Sequence, residues 1–292
     1  MLYNKELTYG EMYRWGCEQL SSTGIDEAKT DARLLLEWCC GTDRNTLLAH
    51  GERVISEEEY RRYADCIARR KQHVPLQHIT GEQDFMGLTY LVDKNVLIPR
   101  QDTEVLVEEV MRHLHDGMRI LDMCTGSGCI LLSLLRYSND CTGVGVDISE
   151  EALQIARQNT DRILGSQAIE QAQVTWQQGD LFDGLDSQDK FDIIVSNPPY
   201  IKTDIIETLM PEVREHEPRL ALDGQEDGLF FYRQIMAQAG RFLTGGGILF
   251  FEIGYDQGEE VSRLMEEAGY IDIEVIKDFA GLDRVVFGGS HV

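Results

Sequence analysis

Apolar side chains recur at helical spacing along the first seventy residues and never alternate as they would in a strand. In DEAKTDARLLLEWCC, residues 26–40, the side chains of Ala28, Ala32, Leu35, Leu36 and Cys39 fall on one face of a helix. Thr8-x-x-Glu11 and Ser56-x-x-Glu59 have the form of capping boxes, in which two helix-end donors are satisfied reciprocally. The pattern predicts a small helical bundle over residues 1–72. Pro75 and Gly81 then punctuate the chain, and EQDFM and LTYLV on either side of Gly87 predict a β-hairpin. Residues 73–100 read as a linker and a hairpin at the lip of the next domain. QDTEVLVEEVMRHL, from residue 101, returns to helix. Its Val105, Leu106, Val107 and Val110 are apolar, and acids in its first turn favour the helix dipole.

From residue 118 short apolar runs alternate with amphipathic ones. MRILDM, CTGVGVD, AQVTWQQGD, FDIIVSN, GGILFFEIG, IDIEVIKD and DRVVFGG read as seven strands. GCILLSLLRY, EEALQIARQNT, DGLFFYRQIMAQAGRFL and QGEEVSRLMEEAG read as the helices between them. Alternation of this kind predicts an α/β, Rossmann-like, doubly wound and mostly parallel sheet over residues 101–292, closed by an antiparallel edge pair.

Composition refines this picture little. The chain has 292 residues, 42% hydrophobic and 27% charged, which suits one large domain and a smaller one. An uninterrupted apolar run of about 18 residues is absent, so no membrane span is expected. MLYNKELTYGEMYRW lacks the basic start and apolar core of a signal peptide, so a cytoplasmic protein is expected. Seven cysteines, an odd number without a CxxC pair, argue for reduced thiols rather than a disulfide framework or a zinc site. His113 and His115 form an HxH without a third ligand in view, and no metal is expected. The net charge of −24 tilts against a nucleic-acid substrate, because affinity for nucleic acid rests largely on Lys and Arg neutralising phosphates.

Two strand ends carry the candidate chemistry. In ILDMCTGSGCILL, a strand leads through Asp122 and Cys124-Thr125-Gly126-Ser127-Gly128 into a helix, and glycines at such a turn let backbone approach a ligand. The next strand ends in Asp147, about twenty residues on, where a carboxylate can accept both hydrogen bonds of a ribose diol. The third glycine of a dinucleotide fingerprint is missing. An acid stands before the loop, which suits a cofactor with a ribose, no phosphate and a positive charge. S-adenosylmethionine has those properties. Asp180 and Leu181, at the end of the third strand, would lie beside its adenine; Asp180 would bind the exocyclic amine or merely cap a turn.

The fourth strand, FDIIVSN, ends in Asn197-Pro198-Pro199-Tyr200. A residue before proline is held extended. The Asn197 side-chain oxygen and the Pro198 carbonyl then become two fixed acceptors, with Tyr200 as an aromatic wall. Two acceptors at one point suit a planar NH2 group, in a carboxamide or in an exocyclic base amine.

Several stretches also resemble the HemK-type release-factor glutamine methyltransferases: PLQHITGEQDFMGLTYLV, LIPRQDTEVLVEEV, LDMCTGSGCI, VSNPPYI, EPRLALDGQEDGLFFYRQI and EIGYDQGEEV. The resemblance implies a class I S-adenosylmethionine-dependent methyltransferase fold and methylation of the glutamine side-chain nitrogen in the Gly-Gly-Gln motif of peptide-chain release factors. It assigns the substrate amide to Asn197 and Pro198, with Pro199, Tyr200 and Phe85 around it. The cofactor falls to Cys124–Gly128, Asp147, Asp180, Leu181 and Asn197, and the N-terminal helices dock the substrate protein. A monomer is expected. Arg100, Thr103 and Glu104 match the family's PRxDTE stretch, with a plain helix start as their alternative reading. Two departures stand out. Gln101 replaces the usual proline, and Cys124 stands where the wider pattern has glycine, which is acceptable if its dihedral is ordinary. Alternatives left open are glutamine methylation of a ribosomal protein, DNA adenine N6-methylation, and a non-catalytic protein that kept the fold.

Overall fold

A computed structural model of the chain describes residues 7–171 and 173–290. The extreme N-terminus, on which the targeting reading rests, and Ala172, in a predicted strand, lie outside the described residues. The chain forms two compact units, residues 1–81 with 210–216 and residues 82–209 with 217–292.

The first unit is helical: α1 (Tyr9–Ser21), α2 (Ala28–Cys40), α3 (Arg44–Ala49), α4 (Glu57–Arg70) and α5 (Leu76–Thr80). Both predicted capping boxes are present, Thr8 with Glu11 at the start of α1 and Ser56 with Glu59 at the start of α4. The predicted face of α2 is buried in full, and Leu35 and Leu36 pack with Tyr9, Met12, Leu20, Tyr63 and Ile67 in one core. Arg70, almost fully buried, is balanced by Asp31 at 2.7 Å and by Glu212 at 3.0 Å, and a buried guanidinium requires such pairing.

The second unit opens with the hairpin β1 (Glu82–Phe85) and β2 (Leu88–Leu91), followed by α6 (Gln101–His113), β3 (Arg119–Met123), α7 (Cys129–Tyr137), β4 (Thr142–Asp147), α8 (Glu150–Ile163), β5 (Val174–Gln178) and β6 (Phe191–Ser196). Next come α9 (Thr203–Ile206) and, within the helical unit, α10 (Pro211–His216). The second unit ends with α11 (Phe230–Ala239), β7 (Leu243–Glu252), α12 (Gly258–Glu267), β8 (Ile271–Lys277) and β9 (Asp283–Gly289). The helices α9 and α10 span only four and six residues, too few for a periodic pattern to announce them.

Seven strands form one sheet in the order β5-β4-β3-β6-β7-β9-β8. The first five are parallel, and β9 runs antiparallel to both β7 and β8. The two closing strands therefore pair as expected, with β9 inserted against β7 and the solvated, bulged β8 outermost. One face of the sheet packs Ile120, Ile193, Val195 and Phe250 against α6 and α7; the other packs Leu121, Ile194, Leu249 and Phe251 against α11 and α12. Phe85 and Tyr90 of the hairpin belong to the first of these cores, ring edge against ring face.

The core of the helical unit offers a test of packing. A Cβ at Gly16 in α1 would lie 1.9 Å from the Tyr63 hydroxyl oxygen and 2.9 Å from the carbon that bears it. Tyr63 is itself held by its hydrogen bond to the Ala32 carbonyl at 3.0 Å. Alanine gains about 1 kcal/mol of helix propensity over glycine, whereas overpacking costs roughly 1–3 kcal/mol. We expect Gly16→Ala to lower the Tm of the intact chain in calorimetry, and to lower it less when Tyr63→Phe has already removed the nearest atom. A rise in Tm would mean that this contact is not tight.

Candidate active site

The direction of chain growth reverses between β3 and β6. From β3 the chain moves outward to β4 and β5, then returns to place β6 on the other side of β3. Open α/β sheets bind ligands at such a switch point, outside the carboxyl ends of the strands. Met123 ends β3 directly opposite Ser196, which ends β6, and the Ser196 hydroxyl donates to the Met123 carbonyl at 2.6 Å. Cys124 and Asn197 are the next residues, so the glycine loop and the tetrad start side by side.

A cavity of about 280 Å³ opens there. Cys124, Thr125, Gly126, Ser127, Asp147, Asp180, Leu181, Asn197 and Pro199, all expected at the site, line it. Asp147 knits two of its walls together: Oδ2 accepts from the Gly126 N–H at 2.8 Å and Oδ1 from the Ser149 N–H at 2.9 Å. Each carboxylate oxygen keeps a second acceptor site. Burial pushes this carboxyl up, and the backbone hydrogen bonds pull it back. A Cβ built at Gly126 would meet nothing within 4 Å, so the loop leaves open space above its backbone. Among the described residues, the charged lining groups are Asp147, Asp180 and Arg100, and Arg100 is already engaged by Glu217 at 2.5 Å. Two acids and a neutralised arginine, in mostly apolar walls, fit a cationic ribonucleoside and disfavour a phosphate.

Asn197 donates through Nδ2 to the Thr103 hydroxyl at 3.4 Å. That contact turns Oδ1 away from Thr103 as an acceptor. Among the described residues, neither Asn197 Oδ1 nor the Pro198 carbonyl receives a hydrogen bond, so both remain available. Burial, with the nearby Asp147 and Asp122, pushes the Cys124 thiol far above its ordinary value. Cys129 is pushed up to about 12, again mainly by burial. Neither thiol is prepared as a nucleophile. Among the described residues, no cluster of three or more His, Cys, Asp or Glu is arranged to hold a metal ion, and no helix is long and apolar enough to cross a membrane.

Comparison with known proteins agrees with this geometry. Residues 11–81 match the PrmC N-terminal domain and residues 114–277 match a methyltransferase domain. A release factor glutamine methyltransferase of Caulobacter vibrioides is 42% identical over 93% of this chain and 92% of its own length. One of the same name from Geobacter sulfurreducens is 41% identical over 96% of each. The chain belongs to the release factor glutamine methyltransferase family. The crystal structure of a Pyrococcus furiosus methyltransferase, 17% identical, covers 71% of this chain and 91% of its own at a TM-score of 0.52, which speaks for the shared fold alone.

Within this methyltransferase several expected residues lie elsewhere than the sequence suggested. Phe85 does not line the cavity; it is 1% exposed and packs in the core against Tyr90. Tyr200 is not a wall either. Its ring packs on the core around α11 and its hydroxyl turns to Glu252 at 3.3 Å, because the end of β7 lies behind the tetrad. Pro198 is buried beside the lining, and Gly128 lies beneath it, where a Cβ would come within 2.7 Å of the Trp176 ring. Asp122 also stays out of the cavity: its Oδ2 accepts from the Thr125 hydroxyl at 2.5 Å and braces the loop from inside. The aromatic lining comes instead from Phe230 and Phe231, at the start of α11. Their only signal in sequence was a paired aromatic just after Gly228.

The PRxDTE-like residues acquire separate tasks. Arg100 pairs with Glu217, Thr103 faces Asn197, and Glu104 accepts from the Met86 N–H at 2.6 Å. Tyr137 grips the Met86 carbonyl at 2.6 Å, and Asn159 binds both the Leu91 N–H and the Ser127 carbonyl. Asn159 of α8 thus ties the hairpin and the glycine loop together.

The dihedral of Cys124 is not ordinary. Its φ is +62°, in the left-handed region that favours glycine, and Leu181 on the opposite wall has φ +52°. Strain of this kind costs about 1–3 kcal/mol per residue. We expect Cys124→Gly to raise stability by roughly 1 kcal/mol, seen as a higher Tm, and a fall in Tm would remove the strain argument. Asp122 supplies a second test. Burial pushes its carboxyl from the ordinary 3.8 up to about 7, so its contribution to stability is complete below pH 3.8 and is lost as pH rises through about 7. Denaturant unfolding of Asp122→Asn should show a flatter pH dependence than the parent chain across that window; parallel curves would contradict the burial of this acid.

Proposed function

We infer that the protein transfers a methyl group from S-adenosylmethionine to the side-chain nitrogen of a glutamine, the one in the Gly-Gly-Gln motif of peptide-chain release factors. The observation that carries this reading is the meeting of Asn197, its Oδ1 free to accept, with the glycine loop and Asp147 around one cavity. Asp147 accepts the ribose hydroxyls, and Asp180 and Leu181 flank the adenine. Bound cofactor supplies a methyl group carried on a positively charged sulfur. The names of relatives about 40% identical over nearly the whole chain, which specify release factors, support the substrate. The net charge of −24 supports a protein over DNA. The helical unit, matched to the PrmC N-terminal domain, is assigned to docking the release factor.

The chemistry follows from the acceptors. An amide nitrogen is a poor nucleophile because its lone pair is delocalised into the carbonyl. Asn197 Oδ1 and the Pro198 carbonyl each take one N–H of the substrate amide, which fixes its plane and its approach. Both oxygens carry fixed negative dipole, so they stabilise positive charge as it develops on nitrogen, in a place where water is scarce. Fixing the orientation contributes several kcal/mol by itself. The alkylated nitrogen becomes acidic and sheds its proton without a strong base.

Incubation with labelled S-adenosylmethionine and, separately, a release factor, its Gln→Ala variant, ribosomal protein and duplex DNA tests the substrate. Label is expected in the intact release factor alone; label in DNA, or persisting in the Gln→Ala variant, would overturn the reading. Asn197→Ala should lower kcat by about 10²–10³-fold, as loss of a preorganised dipole does, with cofactor Kd nearly kept. Asp147→Ala should raise the cofactor Kd by roughly 10–100-fold, the worth of hydrogen bonds to a charged acceptor. Equal cofactor affinity in Asp147→Ala and the parent, measured by calorimetry, would remove the ribose assignment.

A further inference from the structure

Tyr200 is gripped from one turn at two independent points. Its hydroxyl donates to Glu252 Oε1 at 3.3 Å, and its backbone carbonyl accepts from Gln257 Nε2 at 3.2 Å. Glu252 ends β7 and Gln257 opens α12, so both belong to EIGYDQ, residues 252–257. Both are buried, at 2% and 8% exposure. Gln257 spends its whole amide on this task. Nε2 also donates to the Gly228 carbonyl at 3.2 Å, and Oε1 accepts from the Gly254 N–H at 2.9 Å with the Tyr232 hydroxyl 3.3 Å away. Tyr232 in turn donates to the Glu252 carbonyl at 2.9 Å.

The other side of Tyr200 is closed by LDGQEDG, residues 222–228. A Cβ at Gly224 would come within 2.7 Å of the Tyr200 Cα, and one at Gly228 within 2.5 Å of the Tyr200 carbonyl oxygen. Ile201 bonds to Leu222 and Gly224 at 3.0 and 2.8 Å, which extends the tetrad as a one-residue parallel bridge. Prolines fix φ at positions 198 and 199. They do not fix where the turn as a whole points, and the grip on the following residue does.

We propose that Glu252 and Gln257 are positioning residues for the methyl transfer, holding Tyr200 so that the Asn197 and Pro198 oxygens keep their places at the cavity's edge. Neither lines the cavity, so they act through the tetrad, and Glu252 also meets Thr103, the hydroxyl that faces Asn197. The proposal rests on Asn197 and Pro198 being the amide acceptors. Burial also pushes Glu252 up to about 7, against the pull of Thr103, Arg284 and Tyr200. A neutral group there still accepts from Tyr200 through Oε1, and Glu252→Gln preserves that acceptor.

The test compares Glu252→Leu, Gln257→Leu, Glu252→Gln and Tyr200→Phe in the full chain, with release factor and labelled S-adenosylmethionine. Both leucine variants are expected to lower kcat tenfold or more, since displacements near 1 Å at a reacting centre cost up to about 10²-fold. Cofactor Kd, by calorimetry, should stay within about twofold of the parent. Glu252→Gln should recover most of the kcat. Tyr200→Phe deletes one oxygen without disturbing the core, and Glu252→Leu should add little in its background. Unchanged kcat in Tyr200→Phe or in Gln257→Leu, or loss of cofactor affinity in step with kcat, overturns the proposal. Hydrogen exchange at the Ile201 and Gly224 amides needs no substrate, and it should quicken in Gln257→Leu. A parent chain inactive on release factors sinks the substrate reading, while unchanged exchange sinks the grip.

Discussion

The pairing of β3 with β6 is the constraint on which the site depends. It puts Met123 opposite Ser196, and so makes Cys124 and Asn197 neighbours although 72 residues separate the ends of their strands. The Ser196 hydroxyl on the Met123 carbonyl locks that register at the place where the ladder ends. A slip of one residue would turn every side chain of β6 to the opposite face of the sheet. Ile193 and Val195 would leave one core and Ile194 the other, so burial on both faces enforces the register that the chemistry needs.

Several departures from ordinary folding rules lie around that register, though His73, Asp140 and Asp272 also take left-handed backbone away from it. Cys124 and Leu181 take left-handed backbone without being glycine. Asp122, Glu217 and Glu252 each keep a buried carboxylate oxygen without a hydrogen-bond partner. Ser138 Oγ and Arg284 Nε are unmatched as well, whereas the buried Asn159 and Arg70 side chains are paired. Strain and unmatched polarity are tolerated where the surrounding structure over-determines the local geometry. Here the two sheet faces and the bonds from Glu104, Tyr137 and Asn159 to the hairpin and loop provide that determination.

The helical unit follows a simpler logic. Its helices are capped by their own flanking residues, its core is contiguous, and its buried cation is neutralised within it by Asp31 and Glu212. The periodicity of α2 and the two capping boxes therefore made α1, α2 and α4 readable, whereas the short α3 gave no signal and α5 falls in the stretch read as linker.

Sequence by itself determined the order and type of the long elements, because strands and helices that bury one face must carry period two or 3.6. It also determined that Gly126, Asp147 and Asn197, the proposed site residues, meet at one cavity, because their motifs are contiguous and the ends of parallel strands share one edge of the sheet. Only the tertiary structure decided which aromatics face the cavity. Phe85 and Tyr200 looked suited to it, yet one is claimed by the core and the other by Glu252, while Phe230 and Phe231 arrive from a distant helix. The left-handed turn at Cys124, and the grip of Glu252 and Gln257 on Tyr200, were likewise beyond reach of the sequence. A contact across more than fifty residues leaves no periodic trace, since it depends on where two strands stop, and packing sets that.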